Sequence, residues 1–229
     1  MNKWFRLDSP IMQGLSRLSD LVILSFVWFV CCMPIVTIGA SNTAMYYVAM
    51  KIVRDEEDVK VIPTFFQGFK SNFKQATAMN LISLVLGAIL AADACILFFA
   101  QGSMATISCA IFFAMFIWLL CIMFYAYPLQ AQFYNTVKQT LINAAILSMR
   151  KFLSTIIIFI VNMLPFILTI VSLVALGQFN LIVQTLPIWI LAYPGIAAHL
   201  NGKLFVKMFD PFLKAAKEQQ ENSEETEEE

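Results

Sequence analysis

Charge is what this sequence has least of. Only 13% of its 229 residues are charged and 60% are hydrophobic, where a soluble domain carries about 25% charged and roughly 45–50% apolar residues. Residues 21–50 hold no charge at all. A stretch of that kind has no solvated face, so a water-soluble globule is excluded. The signatures of soluble enzymes are missing too: no Walker phosphate loop, no G-x-S-x-G elbow, no H-E-x-x-H pair and no dinucleotide fingerprint. Histidine occurs once, as His199, without a companion cluster that would hold a metal. The five cysteines, Cys31, Cys32, Cys95, Cys109 and Cys121, all sit in apolar runs with neither zinc nor disulfide spacing, and read as small packing residues. No metal and no cofactor is expected. No basic groove interleaved with aromatics points to nucleic acid.

What the sequence does have is long apolar runs. They are solidly apolar, without the alternation of ten-residue transmembrane strands. The fold class expected is all-α, a polytopic helical membrane protein whose partner is the lipid bilayer. A polar leader with interfacial side chains (residues 1–20) precedes a first helix over about 18–33. The chain also starts with Lys3, Arg6 and Arg17 ahead of an apolar run, but the run is too long for an ordinary signal peptide, so no cleavage is expected. Residues 21–53 exceed the roughly 20 residues of one span and fall short of two. Pro34 and Gly39 break them at PIVTIG. The break predicts a hairpin whose second helix, to about residue 54, is short or re-entrant; the alternative is a single crossing. Long spans follow over about 78–100, 104–127, 152–176 and 181–200, joined in part by the charge-free turns QGSM and GQFN. Six helices result, five of them full spans. Two amphipathic interfacial helices accompany them. In the first, Phe65, Phe69 and Phe73 recur at four-residue spacing on one face. The second covers 128–151. Residues 1–217 form the membrane domain, and 218–229 an acidic tail that cannot bury a core and is expected to be disordered.

The net charge of zero conceals a division. Seven of the fifteen acids lie in residues 218–229, and the remaining 217 residues hold fifteen bases and eight acids. Twelve of those bases fall around residues 51–74, 138–151 and 203–217, and the two tight turns hold none. The positive-inside rule places the long loops and the C-terminus in the cytoplasm. With the hairpin, the N-terminus is cytoplasmic as well. A loose echo, in which Pro34, Pro128 and Pro194 are each trailed by Asn and Lys, would put Pro34 on the cytoplasmic side instead; it reads as coincidence.

Few residues can carry chemistry. Asp93 is the one acid inside a span, where an ionised group costs at least ~2.5–3.5 kcal/mol. It reads either as a proton- or cation-coupling group or as an interfacial Asp satisfied by backbone and water. Asn162 and Pro165 sit mid-span, where a proline-freed carbonyl and an amide either line a substrate path or make a plain kink with an interhelical hydrogen bond. Asn80 adds a polar contact near the inner face. A path through Asp93, Asn80, Asn162 and Pro165 is the transporter hypothesis, and the break at Pro34 and Gly39 is the other place where function is sought.

Three stretches, CCMPIVTIGASNTAMYYV, FFQGFKSNFKQAT and YAYPLQAQFYNTVKQTLINA, resemble the YesL-like family of small multi-pass proteins with a domain of unknown function, found mainly in Gram-positive bacteria. The resemblance spans most of residues 10–205 and carries no catalytic or ligand residues. It implies the bacterial plasma membrane and an association with carbohydrate uptake, near sugar ABC-transporter subunits. The function expected is a non-enzymatic accessory to carbohydrate uptake or utilisation. The alternative is a small secondary transporter, and a lipid- or glycan-acting membrane enzyme ranks last because acid–base groups are so scarce.

Overall fold

A helix that meets proline loses a donor and must stop or bend, and the first such point is Pro34. The computed structural model describes residues 10–56, 59–100, 102–133, 135–174 and 179–227. Residues 1–9 of the expected leader and residues 175–178 of the last turn region lie outside them. Helix α1 (Pro10–Cys32) ends before Pro34, a single 3-10 turn spans Ile35–Thr37, and α2 (Ile38–Val53) runs back. Thr37 closes the break by donating its hydroxyl to the Cys31 carbonyl at 2.6 Å and the Pro34 carbonyl at 2.8 Å. Trp28 of α1 donates to Asn42 of α2 at 2.8 Å. At the far end Arg17 meets Asp55 at 2.7 Å. The start of α1 and the end of α2 therefore lie together, as a hairpin requires.

Helix α2 stops in a Schellman arrangement. Asp55 takes φ 57°, its N–H bonds to the Ile52 carbonyl, and the Glu56 N–H bonds to Lys51. Helix α3 (Val61–Phe99) is then continuous for 39 residues, about 58 Å, against a hydrocarbon thickness of about 30 Å. The interfacial helix and the span expected separately are one rod, because no proline or glycine separates residue 76 from residue 78. Its first half buries Phe65, Gly68, Asn72, Ala76 and Met79 against α2. Its second half exposes Leu81, Val85, Ile89 and Ile96, a surface for lipid. Gly102, at φ 126°, makes the turn into α4 (Ser103–Gln132), which carries Pro128 without stopping.

Helix α5 (Val137–Arg150) opens with a capping box, Thr136 and Gln139 satisfying each other's backbone donors. It is followed by α6 (Phe152–Val174), α7 (Phe179–Leu191) and α8 (Tyr193–Glu227). Among the described residues there are eight α-helices, arranged differently from the six membrane helices and two interfacial helices expected. The first interfacial helix is fused with its span in α3, and α4 runs on to Gln132, so the second begins only at Val137 as α5. The last span is split at Ala192, because Pro194 cannot donate to the preceding turn. Among the described residues four helices, α1, α3, α4 and α6, are long and apolar enough to cross a membrane; α2 and α7, with 16 and 13 residues, are too short alone. Helix α8 extends to Glu227.

Helix α2 sits at the centre, with ten of its sixteen residues buried. Its small residues make this possible. Gly39 lies directly against the Ala76 carbonyl and Asn80 of α3, a backbone approach that any side chain would block. At the other edge Gly195 of α8 rests on Leu21 and Ser25 of α1. There the Ser25 hydroxyl accepts from the Gly195 N–H at 2.8 Å and reaches the Ala192 carbonyl at 3.1 Å, so α1 repairs the broken backbone between α7 and α8. Phe205 of α8 completes the core, with its ring edge-on to Tyr46 and Tyr125 and stacked on Phe209.

Candidate functional site

Amide side chains in apolar helices are costly unless they pair, and here they pair across helices. Gln130 of α4 is buried. It donates to Asn72 of α3 at 3.3 Å and to Gln75, and it accepts from Thr140 of α5 at 3.0 Å. Asn72 donates in turn to the Gly68 carbonyl at 3.0 Å. Three helices are tied by one glutamine. This cluster forms the inner wall of a polar cleft of about 340 Å³ between the end of α2, the start of α3 and the end of α4. Tyr47, Lys51 and Arg54 form the α2 side, and Gln67, Ser71 and Gln132 extend the polar lining.

The charges of the cleft are organised. Arg54 donates through Nε and Nη2 to Asp210 of α8 at 3.2 and 3.0 Å, and through Nη1 to Gln132 at 2.8 Å. Lys51 pairs with Glu56 at 3.0 Å and lies 5.2 Å from the Tyr47 ring centroid. Amides, a hydroxyl, an aromatic ring and two cations make a surface that hydrogen-bonds polyhydroxyl or anionic groups. Among the described residues it has no unpaired acid or histidine to move a proton. Among the described residues no group of three His, Cys, Asp or Glu side chains could hold a metal, and the five cysteines are unpaired.

The residues singled out in the sequence fall elsewhere. Asn80 is buried near the hairpin tip, accepting from the Tyr127 hydroxyl at 3.0 Å and donating to the Ile35 carbonyl at 3.4 Å. It therefore touches the Pro34–Gly39 break directly. Asp93 lies thirteen residues further along α3, about 20 Å at the helical rise, partly exposed. Asn162 donates to the Ile158 carbonyl of its own helix at 2.7 Å and lies beside the Tyr46 hydroxyl. Pro165 leaves the Val161 carbonyl without its helical donor, and the Tyr193 hydroxyl supplies one. Asn201 of α8 donates to Tyr46 at 3.4 Å, which brings Asn162, Tyr46 and Asn201 together. Asp93 joins neither Asn80 nor Asn162. His199, near the start of α8, has a buried Nδ1 without a hydrogen-bond partner.

The cleft residues were missed in the sequence reading. A signal was present: Asn72 and Gln75, and then Gln130 and Gln132, are amides close to long apolar runs. Nothing in the sequence pairs the two sets.

Residues 21–94 match a family described as "Protein of unknown function, DUF624", less than half of the 229-residue chain. The match includes α2 and most of α3, and so the α2 and α3 sides of the cleft, but not Gln130. No curated protein and no solved structure matches the chain.

Proposed function

We propose that this chain is a non-enzymatic integral membrane protein that serves as an accessory to a carbohydrate uptake system, with the Arg54–Gln130 cleft as its contact site. The observation that carries the reading is how the central polar groups are used. Asn80 is held by Tyr127 and the Ile35 carbonyl, the Val161 carbonyl is held by Tyr193, and Asp93 stands about 20 Å from Asn80 along α3. Groups that satisfy one another hold helices together and leave little to coordinate a moving substrate. The pairing of Lys51 with Glu56 and of Arg54 with Asp210 likewise supports a binding surface over a catalytic one. The amide-rich lining suits sugar hydroxyls, and the resemblance to YesL-like proteins supports a partner among sugar ABC-transporter subunits. The cleft belongs on the cytoplasmic side of the plasma membrane in this reading, because the bases gather at that end. Crosslinking in native membranes, pull-down of the tagged chain and mass spectrometry test it. Recovery of permease subunits is expected; recovery of none would remove the accessory role.

A second reading, the small secondary transporter, rests on one observation. Asn162, Tyr46 and Asn201 meet at the centre, and the buried Asn201 Oδ1 has no hydrogen-bond partner. Purified protein that moves a sugar unaided across liposomes, and loses that flux in Asn162→Leu, would replace the first reading with this one.

A further inference from the structure

The three ion pairs among the described residues use Arg17, Lys51 and Arg54. Arg150, Lys151 and Lys207 are in none of them, yet they come together. They line one groove of about 580 Å³ between the α5–α6 joint and α8. The rest of that groove is almost wholly apolar, with Leu204, Met208 and Pro211 on α8. No acid lines it. The nearest described acid on α8, Asp210, is paired with Arg54 at 3.0 Å. A second, apolar cleft of about 300 Å³ shares Leu147, Arg150 and Phe212 with the groove and continues it past Ile146 and Phe209 toward Phe133.

Cations gathered without a counter-charge repel one another and wait for an anion. Set at the mouth of an apolar trough on a membrane protein, they match a ligand that is anionic at one end and hydrocarbon at the other. We propose that the α5–α6–α8 groove is a binding site for an anionic glycerophospholipid, with the phosphate between Arg150, Lys151 and Lys207 and an acyl chain along Leu147, Met208 and Phe212. Basic pockets between membrane helices bind such head groups. Arginine supplies a planar two-pronged donor to phosphate, and the lysines add point charges. The Ser154 hydroxyl, in the first turn of α6, lies on the same rim. The site lies apart from the Arg54 cleft and stands whether or not the accessory role holds.

The test uses the full-length protein in neutral detergent. Phosphatidylglycerol and phosphatidylcholine with identical acyl chains are titrated separately, with bound lipid read by native mass spectrometry and stability read as Tm. Phosphatidylglycerol is expected to stay bound and raise Tm, and phosphatidylcholine to do neither. The Arg150→Gln/Lys151→Gln/Lys207→Gln variant is expected to lose phosphatidylglycerol affinity by roughly 10- to 100-fold, while Lys70→Gln/Lys74→Gln on α3 keeps it. All three groove cations are exposed, so the triple variant is expected to fold, which its unchanged Tm without lipid would verify. Equal retention of both lipids, or wild-type retention by the triple variant, would overturn the site. Inorganic phosphate raising Tm as much as phosphatidylglycerol would overturn the lipid as its occupant.

Discussion

Single atoms decide the packing of α2. Gly39 has no room for a methyl group, because the Ala76 backbone carbonyl occupies the space where Cβ would stand. Gly39→Ala is expected to destabilise the fold by about 1–3 kcal/mol, read as a lower Tm in detergent. Gly14→Ala, where nothing lies within 4 Å, is the control and should leave Tm unchanged or raised. Polar atoms follow the same logic. Tyr127→Phe strips the donor from buried Asn80 Oδ1, at a cost of about 1–3 kcal/mol. A Tyr127→Phe/Asn80→Leu pair that costs no more than Asn80→Leu alone would confirm that the two act as one unit; full additivity would separate them. Gln130 stands out at this scale because it binds Asn72 and Thr140 at once. Asn72 lies 58 residues from it in sequence and Thr140 ten, across the α4–α5 connection.

Breaks in elements are repaired by neighbours. Pro165 frees the Val161 carbonyl and Tyr193 covers it; Pro194 divides α7 from α8 and Ser25 covers that break. A specific expectation follows for the first pair. Tyr193→Phe should cost about 1–3 kcal/mol in the native chain, and much less beside Pro165→Ala, where α6 can bond to its own Val161 carbonyl. Equal costs in both backgrounds, measured by chemical or thermal unfolding, would refute the repair. The α1–α2 hairpin is tested at the same scale. The Arg17–Asp55 pair is exposed and contributes little to stability, about 0–1 kcal/mol, but it reports proximity. Cysteines placed at positions 17 and 55 in a cysteine-free background should crosslink with a short bis-maleimide, and a single crossing of residues 21–53 would keep them apart.

At the scale of the whole molecule, the polar and charged side chains are concentrated at one end of the bundle, where α2 ends, α3 begins and α4 and α8 emerge. Arg54 joins three of those helices through Asp210 and Gln132. Arg54→Gln is expected to lower stability by about 1 kcal/mol or less, because the pair is partly exposed. Its larger expected effect is on the cleft: recovery of membrane partners in the pull-down should fall while the protein still inserts. Retained recovery would move the contact site elsewhere on the surface. Asp93 is the counter-test. Asp93→Asn should leave partner recovery unchanged, since it lies far along α3 from the cleft.

The amino-acid sequence by itself determined the helical class, the apolar stretches and the break at Pro34, because hydropathy and proline act on the chain locally. It also located the polar residues inside apolar runs, Asn80, Asp93 and Asn162. It did not determine which of them meet. The pairing of Gln130 with Asn72 spans 58 residues and that of Asn201 with Tyr46 spans 155, and such pairs depend on the register of helices packed side by side. The same holds for the cleft, for the unpaired cations of the α5–α6–α8 groove, and for the fusion of an interfacial helix with a span into α3. Local chemistry sets where a helix can run. Only the packing of α2 among its neighbours, permitted by Gly39 and the small residues after it, decides which polar groups are spent on each other and which are left for a ligand.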